Sequence, residues 1–341
     1  MAKIKDVARI AGVGVGTVSR VINNSGPVKF ETREKVLRVI EELEYVPNEI
    51  ARSFKRKSSK LVGLMLPTIT NPFFSELAFY IEDELYLKGY KMLLCSSQTN
   101  SDKEIEYLDM LKRNLVDGII TISYHDYYNH DKIDNPLVTI DRYISDEIPH
   151  VSADNYGGGK LATEKLIEAG CKSIAYVGGA PRYHSSVSDR KQGLIDIAKA
   201  NNIPYYIFEE SESENIEGSL SRPIMDESLV VKRFVREYPN VEGVLTSSDL
   251  FAAALVKELR RIGKRVPEDV QVIGFDGIQS NDYFEPQLST IKQPVEAMGR
   301  QSVKILLGLI KGEKVPSNSV LNINYIEGET CKKASDIVDI K

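Results

Sequence analysis

Apolar positions recur along this chain with two different periods, and the change comes near residue 60. Before it, Ile4, Val7, Ala8 and Ala11 fall at helical spacing, Gly12 breaks the run, and Val18, Val21 and Ile22 resume it within TVSRVIN. Helix, short glycine-containing turn, helix is the helix-turn-helix unit. A third amphipathic helix is expected in KFETREKVLRVIEELEY, with Thr32 as its cap and Val36, Leu37, Ile40 and Leu43 as its buried face. Three such helices make a DNA-reading head of about 45 residues. After residue 60, short apolar runs alternate with amphipathic stretches. Strands are expected in LVGLMLP, YKMLLCS, VDGIITI, PLVTID, SIAYVGG, YYIFEE, VEGVLTS and VQVIGFD, and helices over 73–88, 102–113, 157–169, 187–200, 227–237 and 249–261. This alternation predicts parallel sheets covered by helices, and two doubly wound halves would leave a cleft at the carboxyl ends of their strands.

Glycine spacing near the N-terminus offers a competing reading. Gly12, Gly14 and Gly16 suggest a phosphate loop, but Thr17 stands where a dinucleotide fingerprint needs its third glycine, and the preceding IKDVARIAG is not a strand. GGGK at 157–160 mimics another phosphate loop, yet Leu161 replaces the serine or threonine and Asp154 the first glycine. His125 and His130 in HDYYNH are five apart with no cysteine near, so zinc is not expected. His150 and His184 suggest no catalytic arrangement, no G-x-S-x-G occurs, and the chain reads as a non-enzyme without metal or cofactor.

Charge sharpens the division. The net charge is −5, but residues 1–60 carry 13 basic against 7 acidic side chains, and the remainder 31 against 42. A basic head on an acidic body places a polyanion-binding signal in one domain. Three widely spaced cysteines fit a reducing compartment better than a disulfide framework. With no signal-like start, and no apolar run near the ~20 residues that span a bilayer, a cytoplasmic location with no membrane partner is expected. Between head and body, Pro47 ends the third helix and Asn48 can cap a short new one in which Ile50, Ala51 and Phe54 share a face. The segment is shorter than the ~12–15 residues marginal for an isolated helix, and Arg52, Lys55, Arg56 and Lys57 repel one another. Alone it reads as a flexible basic linker.

IKDVARIAGV…TVSRVIN, TREKVLRVIEELEYVPNEIARS and IGFDG together make the chain resemble the lactose-repressor/galactose-repressor family over nearly its whole length. The resemblance implies an all-α helix-turn-helix head (1–46), a hinge (47–60), and an α/β body of two periplasmic-binding-protein-like subdomains. These would be 61–160 with 290–322, and 161–289 with 323–341, the chain crossing near 160, 290 and 323. It implies base-facing roles for Val15, Gly16 and Arg20, and phosphate-positioning roles for Thr17, Ser19 and Asn23. It also implies that paired hinges fold in the minor groove, with Phe54 as the wedge, Ala51 as a small contact and Lys55 beside them. This chain departs from the family at Gly14, where serine usually caps the helix, at Gly16, where a side chain often reads a base, and at Phe54, where leucine is usual. More readout would fall on Arg20, whose guanidinium can pair with a guanine edge for ~1–3 kcal/mol of discrimination.

For the cleft, the candidate sugar-binding residues follow expected strands, except Arg190, which stands at the start of an expected helix after SSVSD. They are Asn71, Phe73 and Phe74 in NPFF, Asp141 and Arg142, Arg190, Asp249, and Asp276. Asp and Arg can each engage two adjacent hydroxyls by charge-assisted bonds, and a phenyl ring can lie against a sugar's C–H face. NPFF could equally be turn and core, Asp141–Arg142 a surface pair, and Ser248 stands where the family often has asparagine. The expected function is a dimeric repressor of a carbohydrate operon, binding a near-palindromic operator and switched by a small sugar or sugar phosphate. IDRYISDEIPHVSADNYGGGKLATEKLI is similar to sucrose-operon repressors, which leans the ligand toward sucrose or a fructose-containing sugar. The tail after 330 lacks apolar heptads, so a dimer without a tetramerising helix is expected. Two alternatives remain open: a global regulator of the same family with a phosphorylated carrier protein as corepressor, and a plain sugar-binding protein.

Overall fold

The computed structural model describes residues 2–46, 58–98, 100–113, 116–122, 135–180, 185–210, 226–278 and 286–333. The chain divides into two units, Met1–Lys60 and Leu61–Lys341. The hinge residues Pro47, Asn48, Ile50, Ala51, Phe54 and Lys55, the HDYYNH segment and His184 lie outside the described residues.

In the first unit, α1 (Ile4–Ala11), α2 (Val15–Ile22) and α3 (Phe30–Glu42) close around Val7, Ala8, Ala11, Val18, Val21, Val36 and Val39. The Lys3 N–H donates to the Asp6 carboxylate at 3.0 Å, which caps α1. Gly12 ends the helix at φ 65°, a conformation glycine adopts without steric cost. Two expectations for α3 are corrected. The helix begins at Phe30, with Thr32 inside its first turn rather than at the cap. Its buried face is Val36 and Val39 with Ile40 and Leu43 packed beside them, while Leu37 is 45% exposed, because the face turned to α1 and α2 runs through 36, 39, 40 and 43. Gly14 precedes α2 with no side-chain cap, as its lack of a side chain requires. Gly14→Ser is therefore expected to stabilise the head by a few tenths of a kcal/mol, read as a small rise in its thermal midpoint by circular dichroism.

The second unit holds two six-stranded sheets. The first runs β11-β5-β4-β3-β1-β2, every pair parallel. Its strands are β1 (Leu61–Leu66), β2 (Lys91–Ser96), β3 (Gly118–Thr121), β4 (Leu137–Ile140), β5 (His150–Ala153) and β11 (Asn318–Leu321). The second runs β12-β10-β9-β8-β6-β7 and is parallel except for β12 against β10. It comprises β6 (Ile174–Gly179), β7 (Tyr205–Glu210), β8 (Gly243–Thr246), β9 (Gln271–Asp276), β10 (Ser289–Lys292) and β12 (Asn324–Ile326). Helices α4 (Pro72–Leu87), α5 (Ser101–Arg113) and α10 (Val295–Ile310) belong to the first sheet. The second is covered by α6 (Asn155–Glu168) and α7 (Ser186–Ala200) on one face and by α8 (Glu227–Glu237) and α9 (Asp249–Arg261) on the other. The chain passes between the sheets after Ala153, after Lys292 and between Leu321 and Asn324.

GGGK at 157–160 lies inside α6 and serves packing. A Cβ at Gly158 would press into the Phe275 ring, and one at Gly159 would collide with the Arg190 carbonyl of α7. Gly193 of α7 is constrained reciprocally by the backbone of Tyr156 and Lys160. The two helices thus cross with backbone against backbone, which only glycine permits. That crossing holds the first two turns of α7 against the first two turns of α6.

Candidate functional site

On the head, Val15, Gly16 and Arg20 are exposed, Val15 at 41%, while Val18 and Val21 are buried. Positions 16, 19, 20 and 23 recur at three- and four-residue spacing, so they share the outward face of α2. Thr17, Ser19 and Asn23 are half-buried. The Asn23 amide donates to the Ser19 carbonyl at 2.7 Å and to Ser19 Oγ at 3.2 Å, closing the end of the helix.

In the body, the candidate residues gather at the carboxyl ends of the parallel strands, where open α/β sheets place ligands. Asp141 follows β4, Asp276 ends β9, Asp249 opens α9 after β8, and Arg190 lies in the first turns of α7. Arg190 is 5% exposed and held on several sides. Its Nε donates to Asn155 Oδ1 at 2.8 Å, one terminal nitrogen donates to the Ser247 carbonyl at 2.6 Å and to Asp276 Oδ1 at 3.4 Å, and its guanidinium carbon lies 3.8 Å from the Phe275 ring centroid. Gln293 donates to the same Asp276 oxygen at 2.8 Å. From the first sheet, Asp141 Oδ1 accepts from the Asn155 amide at 3.2 Å. A continuous polar chain, Asp141–Asn155–Arg190–Asp276–Gln293, therefore joins the strand ends of both sheets. Asn155 and Gln293 sit just past two of the three crossings.

Both acids of that chain adopt left-handed backbone, Asp141 at φ 55° and Asp276 at φ 117°. Each such non-glycine residue costs of order 1–3 kcal/mol and persists where surrounding contacts impose it, commonly at functional sites. Burial pushes the carboxyl pKa of Asp276 upward, with Arg190 opposing it and Asp249 adding to it. Burial raises Asp141 and Asp249 as well, each against a lowering influence of Arg190. The folded chain thus retains protons that the unfolded chain has released. The stability contributed by these carboxyls falls as pH rises from the ordinary carboxylate range through their raised values. Asp276→Asn removes part of that slope, so the variant's stability relative to wild type should improve steadily from pH 4 to pH 8 in urea titrations.

Other candidates are placed differently. Both Asp249 oxygens are engaged, Oδ1 by the Thr290 hydroxyl and Oδ2 by the Ile278 N–H at 2.8 Å, so Asp249 braces the turn after Asp276. Asn71 Oδ1 accepts the Phe73 N–H at 3.0 Å and caps α4. Phe73 and Phe74 are buried in the first sheet's core, edge to face at 5.3 Å, which makes packing their visible role. Arg142 is buried, and its carbonyl accepts from Thr139 Oγ1 at 2.6 Å. Sequence reasoning missed Asn155, Gln293 and Ser247. Their only signal was position after short strands, two of which (HVSA and STIK) were not recognised.

The two parts match known families separately. Residues 3–48 match the model of bacterial regulatory proteins of the lacI family, and residues 163–331 match a periplasmic binding protein-like domain. A ribose operon repressor of Bacillus subtilis is 40% identical over 335 residues, covering 98% of this chain and 99% of its own length. A sucrose operon repressor of Streptococcus mutans is 34% identical, covering 97% and 99%. A periplasmic binding protein/LacI transcriptional regulator from Alkaliphilus metalliredigens, solved with D-xylulofuranose, superposes with TM-score 0.68 at 31% identity over 80% of this chain and all of its own. With a helix-turn-helix head, a two-sheet body and full-length relatives of this similarity, the chain belongs to the lacI family of bacterial regulatory proteins.

Proposed function

We propose that this protein represses a carbohydrate-utilisation operon as a cytoplasmic homodimer on a near-palindromic operator, and that a small sugar bound among the strand ends of the body weakens its hold on DNA. The observation that carries the reading is the polar chain between the sheets. Its groups are those that engage sugar hydroxyls, and it draws on both sheets, so a ligand there favours one arrangement of the lobes over another. The resemblance to full-length repressors named for ribose and sucrose supports the same reading, and the higher identity of the ribose relative favours a pentose over the sucrose-type ligand expected from the sequence. In this proposal the lobes are 61–154 with 293–321, and 155–292 with 324–333, because α6 and β10 belong with the second sheet.

A thermal-shift panel of sugars tests the effector. One present at about 100 times its Kd adds ~2.7 kcal/mol of stability, and a panel without any shift removes the sugar-responsive reading. On the head, Arg20→Ala should weaken operator binding by ~1–3 kcal/mol, roughly 5- to 150-fold, and relax discrimination at one base pair. Competition binding against single-base operator variants reads both effects.

A further inference from the structure

Between the carboxyl ends of α8 and α9 lies an apolar cavity of about 30 Å³, away from the strand-end polar chain. Phe234, Val244 and Leu259 form its floor, and Tyr238, Ile262 and Lys264 stand at its mouth. It is too small for a sugar ring. Water gains little there, because a buried water needs about two to four polar partners. Among the described residues, the polar side chains lining it are Tyr238 and Lys264, and both are engaged. Lys264 Nζ donates to the Pro239 carbonyl at 3.2 Å, and the Tyr238 hydroxyl bonds Glu237. Ile262 is left 44% exposed. An aliphatic side chain entering the mouth would bury that surface and fill the void.

Position and charge name the occupant. Val241 and Val270, which also line the cavity, stand just before β8 and β9, so it opens at the amino ends of the strands. The last described residues lie at that same end. The Lys332 N–H donates to Gln271 Oε1 at 2.8 Å, and its Nζ donates to the Glu268 carbonyl at 3.2 Å, in the turn between Lys264 and Val270. Residues 334–341, ASDIVDIK, continue from there. At ~3.3 Å per residue, Ile337 can reach ~13 Å from Lys333, and Ile340 ~23 Å. Segments 181–184, 211–225 and 279–285, which also lie outside the described residues, follow the carboxyl ends of β6, β7 and β9 at the opposite end. Asp336 and Asp339 flank the apolar residues of the tail. The mouth is basic, with Lys264 lining it and Arg236, Arg260 and Arg261 in the last turns of α8 and α9, although Glu258 answers Arg261.

We propose that residues 334–341 cross the 264–270 turn and seat Ile337, Val338 and Ile340 on this cavity of the same chain, with Asp336 and Asp339 against its basic mouth. The contact clamps the carboxyl ends of α8 and α9 together. It thereby braces the helix whose first residue, Asp249, supports the turn after Asp276.

Hydrogen exchange read by mass spectrometry, on the full chain and on a chain ending at Lys333, tests this. Amides of 234–244 and 259–270 should exchange at least tenfold faster without the tail, while those of 61–98 stay unchanged. The full-length triple variant Ile337→Ser, Val338→Ser, Ile340→Ser should match the truncated chain, and serves alone if that chain does not fold. Carbodiimide treatment of the full chain should join Asp336 or Asp339 to Lys264 in a product that keeps the mass of one chain on a denaturing gel. Exchange around the cavity that neither change alters overturns the proposal. So does a cross-link of doubled mass, which would assign the tail to a second copy.

Discussion

Arg190→Met is expected to abolish the response to effector and to destabilise the body by about 3 kcal/mol or more at pH 8, since removing one partner of a buried ion pair leaves the other uncompensated. Asp276 is 5% exposed, and it would keep only the Gln293 amide of its two side-chain donors seen here. Asn155 and the Ser247 carbonyl would lose a donor in the same step. The loss should shrink at pH 5. Burial already holds the Asp276 pKa high, and without Arg190 it rises further, so the carboxyl takes up a proton instead of remaining a lone buried charge. Urea unfolding at the two pH values measures the difference, and a loss independent of pH would mean that the buried charge is not its source. Adding Asp276→Asn to Arg190→Met should restore part of the stability at pH 8 but none of the sugar binding.

Gly159→Val is the second large effect. A side chain at this position meets the Arg190 backbone carbonyl directly, and Gly193 is held against the backbone of Tyr156 and Lys160 at the same crossing, so neither helix can give way locally. Overpacking costs ~1–3 kcal/mol where side chains can shift. Here backbone must move, and we expect the upper end of that range or beyond. Because α7 carries Arg190 and α6 carries Asn155, separating the helices also pulls apart the polar chain. The variant should lose effector binding even at temperatures where it remains folded. Calorimetric titration beside circular dichroism separates the two effects. Full sugar affinity in a folded Gly159→Val chain would show that the helix crossing does not position the site.

The parts of this molecule legible in the sequence are those with strong periodicity. The head helices, the buried central strands β1, β3, β6, β8 and β9, and the helices between them announce themselves because their apolar residues face a core. Strands β11 and β12 did not, being short edge strands with exposed and half-buried positions and no continuous apolar run. Strands β5 and β10, HVSA and STIK, are buried but polar in composition; in β10 the Thr290 hydroxyl donates to Asp249 and the Ser289 N–H donates to the Thr330 hydroxyl. Helix α10 was not expected either, although its buried Val295, Met298, Gly299, Ser302, Val303 and Leu306 recur at helical spacing; glycine and serine among them thin the apolar stripe. The site follows the same division. Asp141 and Asp276 were visible as charged residues after expected strands, and Arg190 as one at the start of an expected helix. Asn155 and Gln293, which link them, follow the strands that periodicity missed. Thr32 and Leu37 show the limit at the level of single residues, because helix phase is set by which neighbour a face packs against.

The account's central claim is that occupancy of the body changes the grip of the head on DNA. Operator titration by fluorescence anisotropy, with and without a saturating sugar identified by thermal shift, tests it most directly. The coupling free energy expected for such a switch is ~1–3 kcal/mol, so the operator Kd should rise roughly 5- to 150-fold with sugar bound, and Arg190→Met should erase the difference. An operator affinity identical with and without sugar, in a protein shown by calorimetry to be saturated, would contradict it.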